Sequence, residues 1–163
     1  VEEIAMVRFP SVQFFEALRE QVNANPDRFR RLGTVDMTLV AKIDYDAANC
    51  DRYEIVFSGY RCVGVCHLAH TDPLPGDAVV LAGPYSAWRE MIENIFSNGQ
   101  ADLEHTLNTL TLFDEPLRVE SGNQLDTDLF YRYQQNLQEF FDGAARVPIN
   151  FFASDSASLA AER

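Results

Sequence analysis

The sequence predicts an α/β (α+β) domain in which amphipathic helices cover one face of a small sheet. Two observations predict it. The apolar spacing changes from helical to alternating near residue 35, and returns to helical after Gly83-Pro84. Hydrophobic residues make up 47% of a chain of 163 residues, which suits one packed core rather than disorder.

The elements follow in order. Ser11 is a good N-cap for a helix whose Phe14, Phe15, Leu18 and Val22 recur on one face. Asn25-Pro26 interrupts it, and Asp27 to Leu32 makes a further turn or two before Gly33. Val35, Met37, Leu39, Ala41 and Ile43 then alternate with their neighbours as a first strand with one apolar face. Asp46 to Asp51 reads as a turn. Arg52 to Phe57 reads as a second strand, with Tyr53, Ile55 and Phe57 on one face. Ser58-Gly59 marks a turn or bulge, and a third strand follows from Arg61. Thr71 to Gly76 is a loop, and Asp77 to Ala82 is a fourth strand.

Gly83-Pro84 opens a helix carrying Trp88, Met91, Ile92, Ile95 and Phe96, closed by Asn98-Gly99. Asp102 can cap a short helix with Leu103, Leu107 and Leu110. Leu117 to Ser121 offers a fifth strand. Asp126 or Thr127 caps a last long helix bearing Leu129, Phe130, Tyr133, Leu137, Phe140 and Phe141, with Gly143 as its stop. Residues 144–152 are apolar without a clear period, and either dock on the domain or form an edge strand. One domain is expected over residues 1–152, with 153–163 as a loose tail.

The formal net charge of −12 argues against a nucleic-acid partner, which needs a basic footprint. It also disfavours docking to anionic membranes. No apolar run has the length of a membrane span. Val1-Glu2-Glu3-Ile4 lacks the features of a signal peptide, and three cysteines form no disulfide framework, so a cytoplasmic setting is expected. Arg28, Arg30 and Arg31 read as a solvated helix end.

The stretch Arg61-Cys62-Val63-Gly64-Val65-Cys66-His67-Leu68-Ala69-His70 concentrates cysteine and histidine. A haem attachment needs C-x-x-C-H, and here the spacing is one residue longer. In a regular strand Cys62, Gly64, Cys66, Leu68 and His70 share one face, and Val63, Val65, His67 and Ala69 the other. Cys62 and Cys66 then stand about 13 Å apart, too far for one zinc ion. Only His67, His70 and Asp72 could converge, and only if the strand ends early. The expectation is a half-buried strand with packing cysteines, no metal and no Cys/His catalytic pair.

No phosphate loop, nucleophile elbow or H-E-x-x-H is present. The remaining signal is three aromatic-rich helical stripes facing one sheet of four or five strands. Such a layer either packs solid or encloses a lipid-sized cavity. Phe14, Leu18, Trp88, Ile92, Phe96, Leu110, Phe130, Leu137 and Phe141 are the expected pocket or core lining. If the same cavity serves an enzyme (a cyclase, isomerase or hydratase), His70, His105, Asp114, Tyr85 and Tyr133 are the available polar groups. A solid-cored interaction module is the third possibility.

Element order then shows a resemblance. Asp77-Ala-Val-Val-Leu-Ala-Gly-Pro84, the helix Trp88 to Gly99 and the segment Asp102 to Val119 are similar to the sterol carrier protein type-two domain, the non-specific lipid-transfer family. The resemblance spans roughly residues 12–142 and rests on element order and hydrophobic spacing. The family's Gly-rich basic turn before its last strand is replaced here by Leu112-Phe-Asp-Glu-Pro-Leu-Arg118. The resemblance implies a five-stranded, mainly antiparallel sheet with helices on one face and an apolar tunnel between the layers. It implies a hydrophobic small-molecule partner (a fatty acid, acyl-CoA, sterol or isoprenoid), and no cofactor.

Overall fold

In the computed structural model, which describes residues 6–120 and 123–151, a two-residue strand β1 (Val7–Arg8) leads into helix α1 (Val12–Ala24). Ser11 starts α1: its backbone is extended, and its Oγ accepts the Phe14 N–H at 3.1 Å. That satisfies one of the donors a helix start leaves open. Phe14, Phe15, Leu18 and Val22 are buried along one face. Helix α2 (Pro26–Leu32) begins on Pro26, whose missing N–H is not needed there. It closes at Gly33, whose φ of 95° suits a residue without a Cβ.

Strands β2 (Met37–Asp44), β3 (Cys50–Ser58), β4 (Arg61–Leu68), β5 (Ala78–Pro84) and β6 (Arg118–Val119) form one sheet in the order β4-β3-β2-β5-β6. The β2–β5 contact is parallel and the other three are antiparallel. Met37, Leu39, Ala41 and Ile43 of β2 join Tyr53, Ile55 and Phe57 of β3 in the main core. β5 is buried continuously from Val79 to Gly83, as expected of a parallel strand covered on both faces. Val40, Leu68, Val80 and Ala82 form a smaller cluster on the opposite face.

Helix α3 (Tyr85–Asn98) springs directly from β5 and ends at Gly99, whose left-handed backbone (φ 85°) returns its N–H to Ile95 O at 2.9 Å. Trp88 is fully buried, and its Nε1–H donates to Lys42 O of β2 at 3.1 Å. The largest ring in the core thus keeps its one polar group satisfied. Helices α4 (Leu107–Leu110), α5 (Gln124–Arg132) and α6 (Gln134–Asp142) follow, then a single 3-10 turn (Gly143–Arg146) and strand β7 (Ile149–Asn150). β7 pairs in parallel with β1, so part of the apolar 144–152 segment forms an edge pair with the start of the chain. The 153–163 tail lies outside the described residues.

Local expectations change in four places. In β4, Phe57 pairs with Cys62 and Val56 with Gly64, leaving Val63 as an extra residue. This bulge reverses the alternation. Cys62 faces the helices before it, and Val65 and His67 face them after it, while Leu68 joins the far-side cluster. The single face assigned to Cys62, Gly64, Cys66, Leu68 and His70 is corrected accordingly, and His70 falls in the turn beyond the strand. The bulge is held from α1. Asn23 exchanges hydrogen bonds with Cys62 N–H and O at 3.0 and 2.9 Å, and Arg19 donates to Val63 O at 3.1 Å.

The expected last helix is capped earlier, by Asn123, whose side chain accepts the Asp126 N–H at 3.0 Å. It also departs from helical geometry at one residue, Tyr133 (φ −103°, ψ 12°). Hydrogen bonds run through that point, from Tyr133 N–H to Leu129 O and from Leu137 N–H to Tyr133 O. α5 and α6 are therefore one helix interrupted, not two separate ones. Finally, α4 is capped by Thr106 rather than Asp102, and Leu103 stays outside it.

Two variants test this packing. A Cβ at Gly83 would run into Leu117 Cδ2 and stand 3.0 Å from Pro116 O, a backbone atom that cannot swing away. Gly83→Ala is expected to cost about 1–3 kcal/mol in urea unfolding, and an unchanged midpoint would refute the close approach. Asp142 is half-buried, and its Oδ1 accepts from Ala101 N–H and Gln138 Nε2 at 3.2 and 3.0 Å. Burial pushes its carboxyl above the usual carboxylate range, against the pull of those two hydrogen bonds. A raised pKa contributes stability below the unfolded value that is lost as pH rises through the folded one. Asp142→Asn keeps the acceptor and removes the titration. It is expected to gain on the native protein as pH rises from about 4 to 7, read as denaturation midpoints across that range; a gap constant with pH would contradict the assignment.

Candidate ligand site

The main cleft opens where β1 and the first turn of α1 pass over the ends of β3 and β4. Its volume is about 590 Å³, and it is lined by Met6, Val7, Arg8, Pro10, Ser11, Val12, Gln13, Asp51, Tyr53 and His67. Ser11 Oγ, besides capping α1, donates to Arg8 O at 2.6 Å, which fixes the corner between β1 and the helix. The floor is aromatic. The tilted Tyr53 ring packs on Phe15 with ring centres 4.7 Å apart, and the His67 ring lies 5.0 Å from Tyr53.

A polar chain crosses this floor. Asp51 is buried, and its Oδ2 accepts from Tyr45 OH at 2.7 Å while its Oδ1 lies 3.1 Å from His67 Nε2. A carboxylate out of water needs such partners. Two ring-bearing donors provide them and fix the imidazole at the cleft wall. Sequence reading missed both residues. Asp51 continues the Tyr53-Ile55-Phe57 alternation by one step, a signal hidden by placing residue 51 in a turn. His67 faces inward only because of the bulge at Val63.

The residues expected to line a pocket or the core lie on the core side, away from this cleft. Phe14, Leu18, Trp88, Ile92, Leu110, Phe130, Leu137 and Phe141 are buried in one core, while Phe96 is 41% exposed and meets Phe151 edge-on. Ring contacts such as Phe9–Phe14 at 4.8 Å and Trp88–Phe141 at 5.8 Å bind that core together. None of the nine lines the main cleft. The polar candidates are dispersed. His70 is exposed and borders a cleft of about 230 Å³ beside Val80 of the smaller cluster, with Lys42, Arg52 and Glu120. Tyr85 borders another of about 520 Å³ with Arg89 and Glu93, its phenol pushed up by burial. His105 Nδ1 is 2.7 Å from Asp102 Oδ1, and that contact holds the Asp102 carboxyl below its usual range. Asp114 is exposed on a loop, and Tyr133 is the interruption between α5 and α6. Among the described residues, no three His, Cys, Asp or Glu side chains are placed to hold a metal ion, and no helix is long and apolar enough to cross a membrane.

Comparison with solved structures gives two matches that cover most of this chain. One is a conserved hypothetical protein from Thermus thermophilus, described as a candidate sterol carrier protein. It matches with a TM-score of 0.62 and 14% identity over 94% of this chain and 96% of that one. The other is sterol carrier protein 2, with a TM-score of 0.59 and 16% identity over 83% of this chain and 95% of that one. The chain has a sterol-carrier-like fold. No family model and no curated protein sequence matches it. The sterol-carrier-like architecture is thus kept at an identity where side chains have largely been exchanged, which is why element order and spacing, not a motif, carried the resemblance.

The cysteines of this fold separate by environment. Cys62 is fully buried under α1, and burial pushes its thiol up to about 11, only partly offset by a contact with Gly64 O. Cys66 is exposed on the other face. A buried thiol so raised holds almost no thiolate near neutrality. In a Cys50→Ser background at pH 8, Ellman's reagent is expected to modify Cys66 promptly and Cys62 only on unfolding. Equal rates would show that the bulge does not orient β4 as described.

Proposed function

We propose that this chain binds and carries an apolar small molecule of the fatty acid, acyl-CoA, sterol or isoprenoid kind. The observation that carries the reading is the likeness to sterol carrier protein 2 and to a candidate sterol carrier protein over 83% and 94% of this chain. The main cleft supports it. At about 590 Å³ it falls within the usual range of roughly 300–1,000 Å³ for small-molecule sites. Met6, Val7, Pro10, Val12 and Tyr53 supply apolar wall, and Arg8, Asp51 and His67 supply a few polar groups to orient a head. Hydrocarbon burial would drive binding at about 25 cal/mol per Å² before the cost of association.

In this reading the ligand enters between β1 and α1 and rests on the Tyr53–Phe15 floor. Phe14 and Leu18 of α1 form the adjoining core and take up a longer chain by repacking; Trp88, Ile92, Phe96, Leu110, Phe130, Leu137 and Phe141 back the wall behind them. Residues 1–152 act as one carrier domain, with 153–163 outside it. Three free thiols suit a reducing compartment, and we place the protein in the cytoplasm on that ground.

Titration with a fluorescent fatty acid, and solvent extraction of the purified protein for mass spectrometry, test the proposal. Saturable uptake is expected, and Val12→Trp, which fills the cleft without adding charge, is expected to weaken it about tenfold or more with an unchanged far-UV spectrum. No saturable uptake and no extracted lipid would sink the carrier reading. Uptake indifferent to Val12→Trp would move the site away from this cleft.

A further inference from the structure

The most exposed aromatic side chain of the described residues is Phe113, 93% accessible, at the tip of the loop between α4 and β6. Its neighbour Leu112 is 53% accessible. Large apolar side chains left so bare are usually isolated accidents. These are not isolated. Leu112 N–H donates to Thr109 O, and Thr109 Oγ1 donates to Leu103 O, so the bare Leu103 side chain belongs to the same end of the molecule. Tyr131 of α5 reaches this end too: its OH lies 3.3 Å from Thr111 Oγ1, with much of its ring left in solvent.

The tip is also built to stay out. Leu110 and Leu117, at the two feet of the loop, are buried and joined by a hydrogen bond from Leu117 N–H to Leu110 O at 3.0 Å. Within the loop, Glu115 N–H closes a turn onto Leu112 O at 3.0 Å. Asp114 takes a left-handed backbone (φ 66°), which aspartate tolerates better than most residues. Phe113 is thus held at a turn corner with its ring outward, and little ordering remains to oppose a contact.

We infer that the Leu112-Phe113 tip docks the protein onto a zwitterionic, choline-headed lipid bilayer. Phe113 is bare over 93% of its surface, so a protein partner would need a pocket to take it, whereas a bilayer interface accepts an exposed ring without one. Asp114 and Glu115 follow the apolar pair directly, and the whole chain carries −12, so an anionic leaflet repels this end. The outermost group of a choline head is a quaternary ammonium. It complements the two carboxylates, and an aromatic face attracts it as well. Tyr131, apolar in its ring and hydrogen-bonded at its hydroxyl, stands at the rim, a position typical of interfacial tyrosines. Two inserted side chains give weak, reversible attachment. The docking does not depend on what the main cleft holds.

Co-sedimentation of the full chain with phosphatidylcholine vesicles tests it, with phosphatidylglycerol vesicles as the second arm. Binding to phosphatidylcholine is expected to exceed that to phosphatidylglycerol, and Phe113→Ser is expected to weaken it about tenfold. Phe113→Trp adds a reporter at the tip, since the native Trp88 is buried. Its emission is expected to shift to the blue with phosphatidylcholine alone. Far-UV spectra and fluorescent fatty acid uptake, measured on the same variants, are expected to match the native protein, which separates a docking failure from a carrier failure. No sedimentation with phosphatidylcholine, tighter binding to phosphatidylglycerol, or indifference to Phe113→Ser would each overturn the inference. A tip that instead drives self-association, seen as a concentration-dependent mass that Phe113→Ser abolishes, would also overturn it.

Discussion

The parallel ladder between β2 and β5 is the contact on which the rest of the molecule depends. It joins Thr38–Asp44 to Ala78–Pro84 at the centre of the sheet. On one side β2 carries the β3–β4 hairpin, and on the other β5 carries β6. Parallel neighbours cannot be linked by a tight turn, and here the β3–β4 hairpin and its following loop make the connection from β2 to β5. Helix α3 then leaves directly from the end of β5 and returns Trp88 to the backbone of β2. Strand, helix start and indole hydrogen bond are therefore one mechanical unit. The unbroken burial of Val79 to Gly83 is what this position demands, and Gly83 shows how little room is left.

Much of this was legible in the residues. β2 and β3 announce themselves by alternation, and Ser11, Gly33 and Gly99 mark helix ends for reasons any chain shares. The run Ala78 to Ala82 is apolar without alternating, which suits a strand buried on both faces. What stayed hidden has a common cause: single-residue events that only a partner reveals. The bulge at Val63 is one extra residue, stabilised by Asn23 and Arg19 from a helix far away in sequence. The interruption at Tyr133 leaves the apolar spacing intact, so no periodicity could show it. The candidate site suffered most from this. Asp51 and His67 come together because β3 begins two residues before the expected Arg52 and the next strand is slipped by a residue. Phe96 keeps helical register with its buried neighbours, yet lies at the boundary of the stripe and stays partly in solvent.

The division of labour between core and cleft follows from where polar groups are tolerated. The interior between sheet and helices is occupied by rings meeting edge to face or tilted, and the one polar atom on Trp88 is spoken for. Polar side chains collect at the margin, where β3 and β4 run out from under α1. Asp51, Tyr45 and His67 make a chain of hydrogen-bonding groups half in and half out of the core. Such a margin sets the two kinds of surface side by side: apolar wall at Tyr53, Val7 and Val12, and polar groups at the imidazole and Arg8.

The pairing of β1 with β7 has a consequence in time. Val7 and Arg8 are cleft wall, and their strand partner is Ile149–Asn150, at the far end of the described chain. Every other element lies between them in sequence, so this closure spans nearly the whole domain and bears the largest loop-closure cost in it. On the ribosome, the sheet and the first helices can assemble while the wall still has nothing to pair with. Among the described elements, the β1 side of the cleft is therefore set last, after the Asp51–Tyr53–His67 floor that it faces.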